Sequence, residues 1–536
     1  MITRLADHIS IITQTGEATA QGTSVSYKDA MAQQKLTNTG LTICLEAEQT
    51  AVRYLLLRWN FRPDEKRNDQ VKILGDAWER GYGNLEWRGV VAERCMPWVF
   101  AASNGSDQQE DHTGRSTECW GVMVRPAAFC AWQYDPQGVT LWLDVRCGGQ
   151  GVILNGRRLD VCTVVMETYQ DVSAFQALQT FYRLLSPNPL PLTHPVYGSN
   201  NWYYAYGKSS HEEILSDSRF VASLCEGLEN RPYMVIDDGW QPNVCDGPWH
   251  TGNERFPDMK GLCASMREQG VRPGIWIRYL GDQNHTTEGI TPDMRMTRCQ
   301  DFLDPSHPAV LAKVAEDTRR IVHEWGFELI KHDFSTYDMF GCWGFERQGF
   351  LANGNWTFYD RSKTSAEIVI NFYQTILDAT EGKALILGCN VIGHLAAGLV
   401  HLNRTGDDTS GREWDRTRRM GVNTLAFRMA QHKALFDVDA DCVGVMGLID
   451  WKLNRQWLKA LSLSGTPLFV SCKPDTRDEA ILQDLREAFR KGASQETIMV
   501  PRDWMETTCP AVWQRQDEQL TFHWYPDNGL RCEFIQ

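Results

Sequence analysis

Apolar residues along the chain follow two different rhythms. Up to residue 185 they alternate with polar ones, as in Leu41-Thr42-Ile43-Cys44-Leu45 and Val139-Thr140-Leu141-Trp142-Leu143-Asp144-Val145. A period of two places one face of a strand inward. Asn104-Gly105 and Asn155-Gly156 supply turns between such strands. Many short strands with few helical periods predict a β-sandwich over residues 1–185. The stretch Ser186-Pro187-Asn188-Pro189-Leu190-Pro191-Leu192 then resists helix and sheet alike, because proline lacks the N–H donor and fixes φ, so residues 186–195 form a linker.

From Val196 onward, short apolar runs alternate with amphipathic helical stretches. Eight runs have the length and composition of buried strands: Val196–Tyr203, Tyr233–Ile236, Val271–Ile277, Glu328–Lys331, Ala384–Leu387, Leu399–Asn403, Cys442–Val445 and Pro467–Val470. Ser210 and Glu213 have capping-box spacing ahead of a helix with Ile214, Phe220, Val221 and Leu224 on one face. Val310, Val314, Ile321, Val322 and Trp325 share another helical face, and Gly326 sits at its C-terminal stop. This rhythm predicts a central (β/α)₈ TIM barrel over residues 196–500. A doubly wound open sheet is the alternative, weakened by the lack of a Gly-rich phosphate loop after any strand. Ala511-Val512-Trp513 and Leu520–Tyr525 predict a small C-terminal β region over 501–536. The fold class is thus multidomain.

Composition narrows the range of functions. With 536 residues, several cores are needed. A formal charge of -14 repels phosphate backbones, which argues against a nucleic-acid partner. The 20 tryptophans raise the weight of carbohydrate binding, since flat aromatic faces stack on sugars, although most buried Trp is ordinary core. No apolar run approaches a membrane span and Met1–His8 does not begin a signal peptide, so the expectation is a cytoplasmic protein off the membrane. The 16 cysteines show neither C-x-x-C nor zinc spacing; reduced thiols and no metal or cofactor are expected.

Barrel chemistry sits at the C-terminal ends of strands. Here the second candidate strand runs into Asp237-Asp238-Gly239-Trp240, the fourth into Lys331-His332-Asp333, the fifth into Gly388-Cys389-Asn390 and the sixth into Arg404-Thr405-Gly406-Asp407-Asp408. One such Asp is readily explained as the N-cap of the next helix. Several on one rim would repel one another unless Arg or Lys, a metal, a cationic substrate or a shared proton compensates. Lys331, Arg298 and Arg404 are the available cations. Paired carboxylates across a pocket are the equipment of glycoside hydrolysis. Lys331, two residues before Asp333 on the same strand face, would keep Asp333 ionised as a nucleophile needs. His332 and His394 fit structural roles better than catalytic ones.

At these residues the chain resembles the α-galactosidases of glycoside hydrolase family 36, within the clan that includes the raffinose synthases. Asn200-Asn201-Trp202, Asp237-Asp238-Gly239-Trp240, Pro273-Gly274-Ile275-Trp276, the Arg298–Asp304 stretch, Lys331-His332-Asp333 and Arg404-Thr405-Gly406-Asp407-Asp408 follow the family's motifs in order, and Gly75–Gly83 extends the likeness into the N-terminal region. The resemblance implies Asp333 as nucleophile and Asp407 as acid/base. It implies sugar contacts from Asp237, Asp238, Lys331, Arg298, Trp202, Trp276, Cys389, Arg404 and Asp408, with Asp408 left as a competitor for the acid/base role. It also lets the N-terminal region lend a residue such as Asp76 or Trp78. The chain departs from the pattern at Cys389-Asn390-Val391-Ile392-Gly393, where the family has Cys, Ser and glycines, which leaves the sugar open.

The expected function is a retaining α-galactosidase-like hydrolase acting on oligosaccharides or other α-glycosides. Family members often assemble, so a second copy of the chain is a further partner to test. The alternatives are a transglycosylase of the raffinose-synthase type, a metal-dependent barrel lyase, and a non-catalytic sugar-binding protein. The aromatic loop Phe334–Asp360 is either an aglycone subsite or a packed lid.

Overall fold

The computed structural model describes residues 4–62, 71–108, 111–347, 349–494 and 497–530. Two antiparallel sheets occupy the N-terminal region. One has six strands, in the order Glu17–Ala20, His8–Thr13, Val52–Asn60, Gly138–Asp144, Phe129–Asp135, Met96–Pro97. The other has seven, ordered Ser24–Tyr27, Ala30–Leu36, Leu41–Glu46, Leu159–Gln170, Ser116–Val122, Val99–Ser103, Lys72–Gly75. The predicted alternation is visible in Val52–Asn60, where Leu55, Leu57 and Trp59 are buried. Trp59 and Trp132 of the first sheet meet Phe100 and Trp120 of the second, with Trp59 and Trp120 centroids 5.5 Å apart, so the sheets pack through their inward aromatic rows. The pattern gave no warning of the helix Ala174–Leu185, which caps at Ser173 and leads straight into the proline-rich stretch.

The remainder is built on a parallel sheet of nine strands, in the order Asp437–Asp439, Leu402–Arg404, Leu385–Gly388, Leu329–His332, Arg272–Ile277, Tyr233–Ile236, Tyr197–Asn200, Leu468–Cys472, Val443–Val445. Eight of them overlap the eight apolar runs. The ninth, Asp437–Asp439, was invisible to a search for apolar runs because Asp437-Val438-Asp439-Ala440-Asp441 alternates aspartate with small apolar residues. The first and last strands of this order are separated in the chain only by residues 440–442.

Helices between the strands begin and end where side chains satisfy the open backbone groups. Ser210 accepts from the Glu213 N–H at the start of His211–Leu224. Gly326, at φ 94°, ends the segment that begins at Pro308 and finishes in the wider π-helical turn Arg320–Trp325. A three-stranded antiparallel sheet, Val500–Pro501, Val512–Arg515 and Glu518–Thr521, closes the described chain.

The parallel sheet explains why polar groups converge. A separate apolar cluster contains Val235, Leu329, Leu387, Leu402 and Phe469, one from each of five strands. Two residues further along four of these strands come Asp237, Lys331, Cys389 and Arg404, which therefore point to the same face one layer higher. Asp237, Lys331 and Arg404 are nevertheless buried, with 3%, 8% and 4% exposure, so each needs a partner.

Candidate active site

Those partners are one another. The Lys331 ammonium donates to Asp237 Oδ2 at 2.7 Å, and Asn200 Nδ2 donates to the same oxygen at 2.6 Å. Burial alone would favour neutral Lys331, but Asp237, with Asp333 behind it, overrides this and keeps the ammonium charged. The expected Lys331–Asp333 pairing is thus corrected to a direct ion pair with Asp237, with Asp333 further off in its field. Asp238 accepts from Gln241 Nε2 at 2.6 Å and the Cys245 N–H at 2.8 Å. Burial still pushes its carboxyl above the usual range.

Asp333 follows the strand Leu329–His332 and is half-buried. The Trp276 indole N–H donates to Oδ2 at 3.1 Å and the Phe334 N–H to Oδ1 at 2.7 Å. Asn390, at φ 55°, adds a third donor in the amide orientation that satisfies both its ends. Cys389 lies in the same electrostatic neighbourhood; burial, then Asp333, pushes its thiol well up, so it is a neutral SH.

At the sixth strand, Arg404 donates to Asp408 Oδ1 at 2.9 Å and pairs with Asp441 Oδ1 at 3.0 Å. Asp441 also accepts from Tyr203 OH, the Thr409 N–H (2.7 Å) and the Thr409 hydroxyl (2.9 Å). Burial works to raise the Asp408 carboxyl, yet Arg404, Arg80 and Lys331 together hold it below the usual range. Asp407 is held by Arg416 Nη2 at 2.7 Å on Oδ2 and by Arg80 Nη2 at 3.2 Å on Oδ1. The like charges at the rim are therefore compensated by protein cations, two of which, Arg80 and Arg416, escaped sequence reasoning.

Arg80 arrives from the N-terminal region. The Gly81 N–H donates to the Thr405 carbonyl (2.7 Å) and the Asp407 N–H to the Gly81 carbonyl (3.1 Å), so Gly81 pairs alongside Gly406. A Cβ on Gly406 would lie 2.4 Å from the Met420 carbonyl oxygen, too close for any other residue while that helix and the N-terminal strand flank it. The N-terminal residues expected to be lent, Asp76 and Trp78, serve elsewhere. Asp76 accepts from Trp98 Nε1 and Gln431 Nε2 and forms an ion pair with Arg428, and Trp78 is sealed against Phe129 and His394. Arg80 lies four residues after Asp76 in the same motif, so the segment was legible but the residue was not.

Arg298 is a second correction. Its guanidinium donates to the carbonyls of Tyr337, Asp338 and Met339, closing the C-terminal turn of the helix Ser335–Phe340 rather than joining the carboxylates. The guanidinium beside that helix on the site's side is Arg278, paired with buried Asp338 at 2.6 Å. Trp202 opens the short helix Trp202–Ala205, half-buried, with its ring 5.0 Å from that of Tyr206. His332 and His394 are buried, and burial lowers their imidazoles to about 4 and about 3, which leaves both neutral and structural.

The aromatic loop divides in two. Phe340, Trp356 and Phe358 pack on one another, whereas Phe334, Tyr337 and Trp343 line up beside Asp333 and Arg80. Its Gln348 lies outside the described residues. Among the described residues, all fifteen cysteines are free thiols, no group of His, Cys, Asp and Glu could hold a metal ion, and no helix is long and apolar enough to cross a membrane.

Removing Asp441 takes one of two carboxylate partners from the buried Arg404 guanidinium, whose Nε already lacks a partner. Asp441→Ala is expected to cost about 3 kcal/mol, the lower end for removing one partner of a buried ion pair, because Asp408 still pairs with Arg404. The thermal unfolding midpoint checks this; an unchanged midpoint would mean that the network adds nothing to stability.

No family model and no curated protein sequence matches the chain. Solved structures do. The α-galactosidase of Thermus thermophilus in complex with p-nitrophenyl α-D-galactopyranoside aligns over 93% of this chain and 99% of its own, with 15% identity and a TM-score of 0.58. A variant family 36 α-galactosidase of Geobacillus stearothermophilus in complex with stachyose aligns over 91% of this chain and 71% of its own, at 15% identity and a TM-score of 0.60. The α-galactosidase of Lactobacillus brevis aligns over 98% of this chain and 73% of its own, at 11% identity and a TM-score of 0.59. The chain thus has the fold of the family 36 α-galactosidases.

Proposed function

We propose that the chain is a retaining glycoside hydrolase that releases terminal α-linked galactose, or a galactose-like sugar, from oligosaccharides or glycoconjugates. The observation that carries this reading is the network that links Asp333, through Asn390 and Arg80, to Asp407, within a fold shared with enzymes whose structures hold α-galactosides. In this reading the nine parallel strands form a (β/α)₈ barrel. Its seventh strand is split at Asp441 into Asp437–Asp439 and Val443–Val445, each pairing with a different neighbour. Residues 1–185 are the β-sandwich, 186–195 the linker, 196–500 the barrel and 501–536 the C-terminal β region.

Asp333 attacks the anomeric carbon while Asp407 protonates the departing oxygen; water deprotonated by Asp407 then displaces Asp333 and the α configuration is retained. Trp276, the Phe334 N–H and Asn390 fix Asp333 in place. Asp237, Asp238 and Lys331 offer sugar hydroxyls two acceptors and a donor, with Trp202, Cys389, Arg404 and Asp408 around them. Arg298 keeps no such role. The same residues would serve a transglycosylase if an acceptor hydroxyl replaced water.

A panel of nitrophenyl α-galactoside, α-N-acetylgalactosaminide, α-glucoside and β-arabinoside tests the reading. The α-galactoside is expected to be cleaved fastest, with first-formed α-galactose by NMR and full activity in EDTA. Inertness to the whole panel, a first-formed β anomer, or loss in EDTA would each overturn it.

A further inference from the structure

One side chain from the N-terminal region reaches both halves of the candidate catalytic pair, Asp407 directly and Asp333 through Asn390. Arg80 is 7% exposed and lies between the rings of Tyr82 and Trp343, 5.7 and 5.6 Å from their centroids. Its Nη2 meets Asp407 Oδ1 at 3.2 Å, and Nη1 lies 3.7 Å from Asp408 Oδ1. In the Asn390 amide orientation that satisfies both its ends, Nε and Nη2 of Arg80 both donate to the Asn390 side-chain oxygen at 2.8 Å, and the Asn390 amide nitrogen donates to Asp333 Oδ1. Asn390 is itself fixed. It is 1% exposed, and its backbone carbonyl accepts from the Thr336 N–H (3.1 Å) and hydroxyl (2.6 Å).

We infer that Arg80 is a positioning residue that ties Asp407 directly, and Asp333 through the Asn390 amide, into one rigid unit, so that the catalytic pair is complete only when the N-terminal segment Glu79–Gly83 is docked on Thr405–Asp407. The inference rests on the glycosidase reading above. Its physical basis is the shape of guanidinium. A planar group with donors at fixed angles can hold an amide oxygen on one edge and a carboxylate on another, and two flanking rings lock its plane. An ammonium cannot do this. Two carboxylates that must act on the same glycosidic bond in sequence gain from a shared, pre-set frame. The docking itself uses backbone hydrogen bonds on both sides of Gly81, and Glu79 Oε1 accepts from the Gly344 N–H (2.9 Å) and Tyr82 OH (2.9 Å), closing the segment over the loop that carries Trp343.

The test compares wild type, Arg80→Ala, Arg80→Lys and Asn390→Ala on nitrophenyl α-galactoside, whose leaving group needs little protonation, and on methyl α-galactoside, whose leaving group needs it fully. Arg80→Ala is expected to lose at least about tenfold in kcat on the nitrophenyl substrate, and more on the methyl one, because the acid is misplaced as well as the nucleophile. Its KM should stay within about threefold. Millimolar guanidinium chloride should restore part of kcat, and Arg80→Lys should not. Asn390→Ala should lower kcat on both substrates by a similar factor, without response to guanidinium, since it cuts only the Asp333 arm. If Arg80→Ala does not fold, Asn390→Ala decides. A folded Arg80→Ala or Asn390→Ala with kcat within about twofold of wild type, or an Arg80→Ala defect confined to KM, overturns the inference. If wild type cleaves no α-glycoside, the function itself falls; if Asp333→Asn is inactive while Arg80→Ala is not, only the role of Arg80 falls.

Discussion

Asp333→Asn is expected to lower turnover of α-galactosides by at least about four orders of magnitude, because an amide oxygen cannot form the covalent glycosyl intermediate. The substitution is close to isosteric, so it separates chemistry from binding. The amide oxygen can still accept from the Trp276 indole in the Oδ2 position, which puts the new NH₂ in the Oδ1 position against the Phe334 N–H. The new NH₂, however, must share the space with the Asn390 NH₂ that now donates to Asp333 Oδ1, so Asn390 has to turn and give up one of its two partners. Calorimetric titration with galactose should therefore still show binding, since Asp237, Asp238 and Lys331 are untouched, and the unfolding midpoint should move by only a few degrees for about 1 kcal/mol. Turnover above a few per cent of wild type would remove Asp333 from the nucleophile's role. Loss of binding along with turnover would instead make it a sugar-binding group.

The legibility of this site follows the kind of signal each residue gives. Asp237, Lys331, Cys389 and Arg404 were readable because each follows an apolar strand by a fixed two-residue step, and burial of that strand makes a charge at its end conspicuous. The apolar layer Val235, Leu329, Leu387 and Leu402 beneath them is the physical form of that signal. Asp441 was hidden for the opposite reason. The strand just before it is itself polar and pairs with Leu402–Arg404, and only tertiary contacts such as the Asp441–Arg404 pair reveal that aspartates can line a core there. Arg298 shows the limit of motif position. It stands where the family pattern places a sugar contact, but the turn at Gly341 brings three helix-end carbonyls to it. Arg80 and Arg416 belong to no strand-end pattern at all. One comes from a different region of the chain and the other from the helical stretch after Asp408, and neither spacing nor hydropathy links them to Asp407.

Asp407→Ala should separate the two remaining assignments at the sixth strand. If Asp407 is the acid/base, the variant loses about 10²- to 10⁴-fold on methyl α-galactoside, where the leaving oxygen must be protonated, and much less in the first step on the nitrophenyl substrate. Hydrolysis of the intermediate then becomes slow for both, so nitrophenol appears as a burst. Azide needs no general base and should accelerate turnover, giving α-galactosyl azide with retained configuration. The site favours this rescue. Removal of the carboxylate leaves the guanidinium groups of Arg80 and Arg416, now 3.2 and 2.7 Å from its two oxygens, facing the space with no anion between them. Asp408→Ala should behave differently. Asp408 is paired with Arg404 at 2.9 Å, and Arg404, Arg80 and Lys331 hold its carboxyl below the usual range, which suits it to fixing a sugar hydroxyl. That variant should raise KM, show no burst and ignore azide. The reverse pattern, with azide rescuing Asp408→Ala and not Asp407→Ala, would exchange the two roles and would also detach Arg80 from the acid/base, because its contact with Asp408 is the longer one at 3.7 Å.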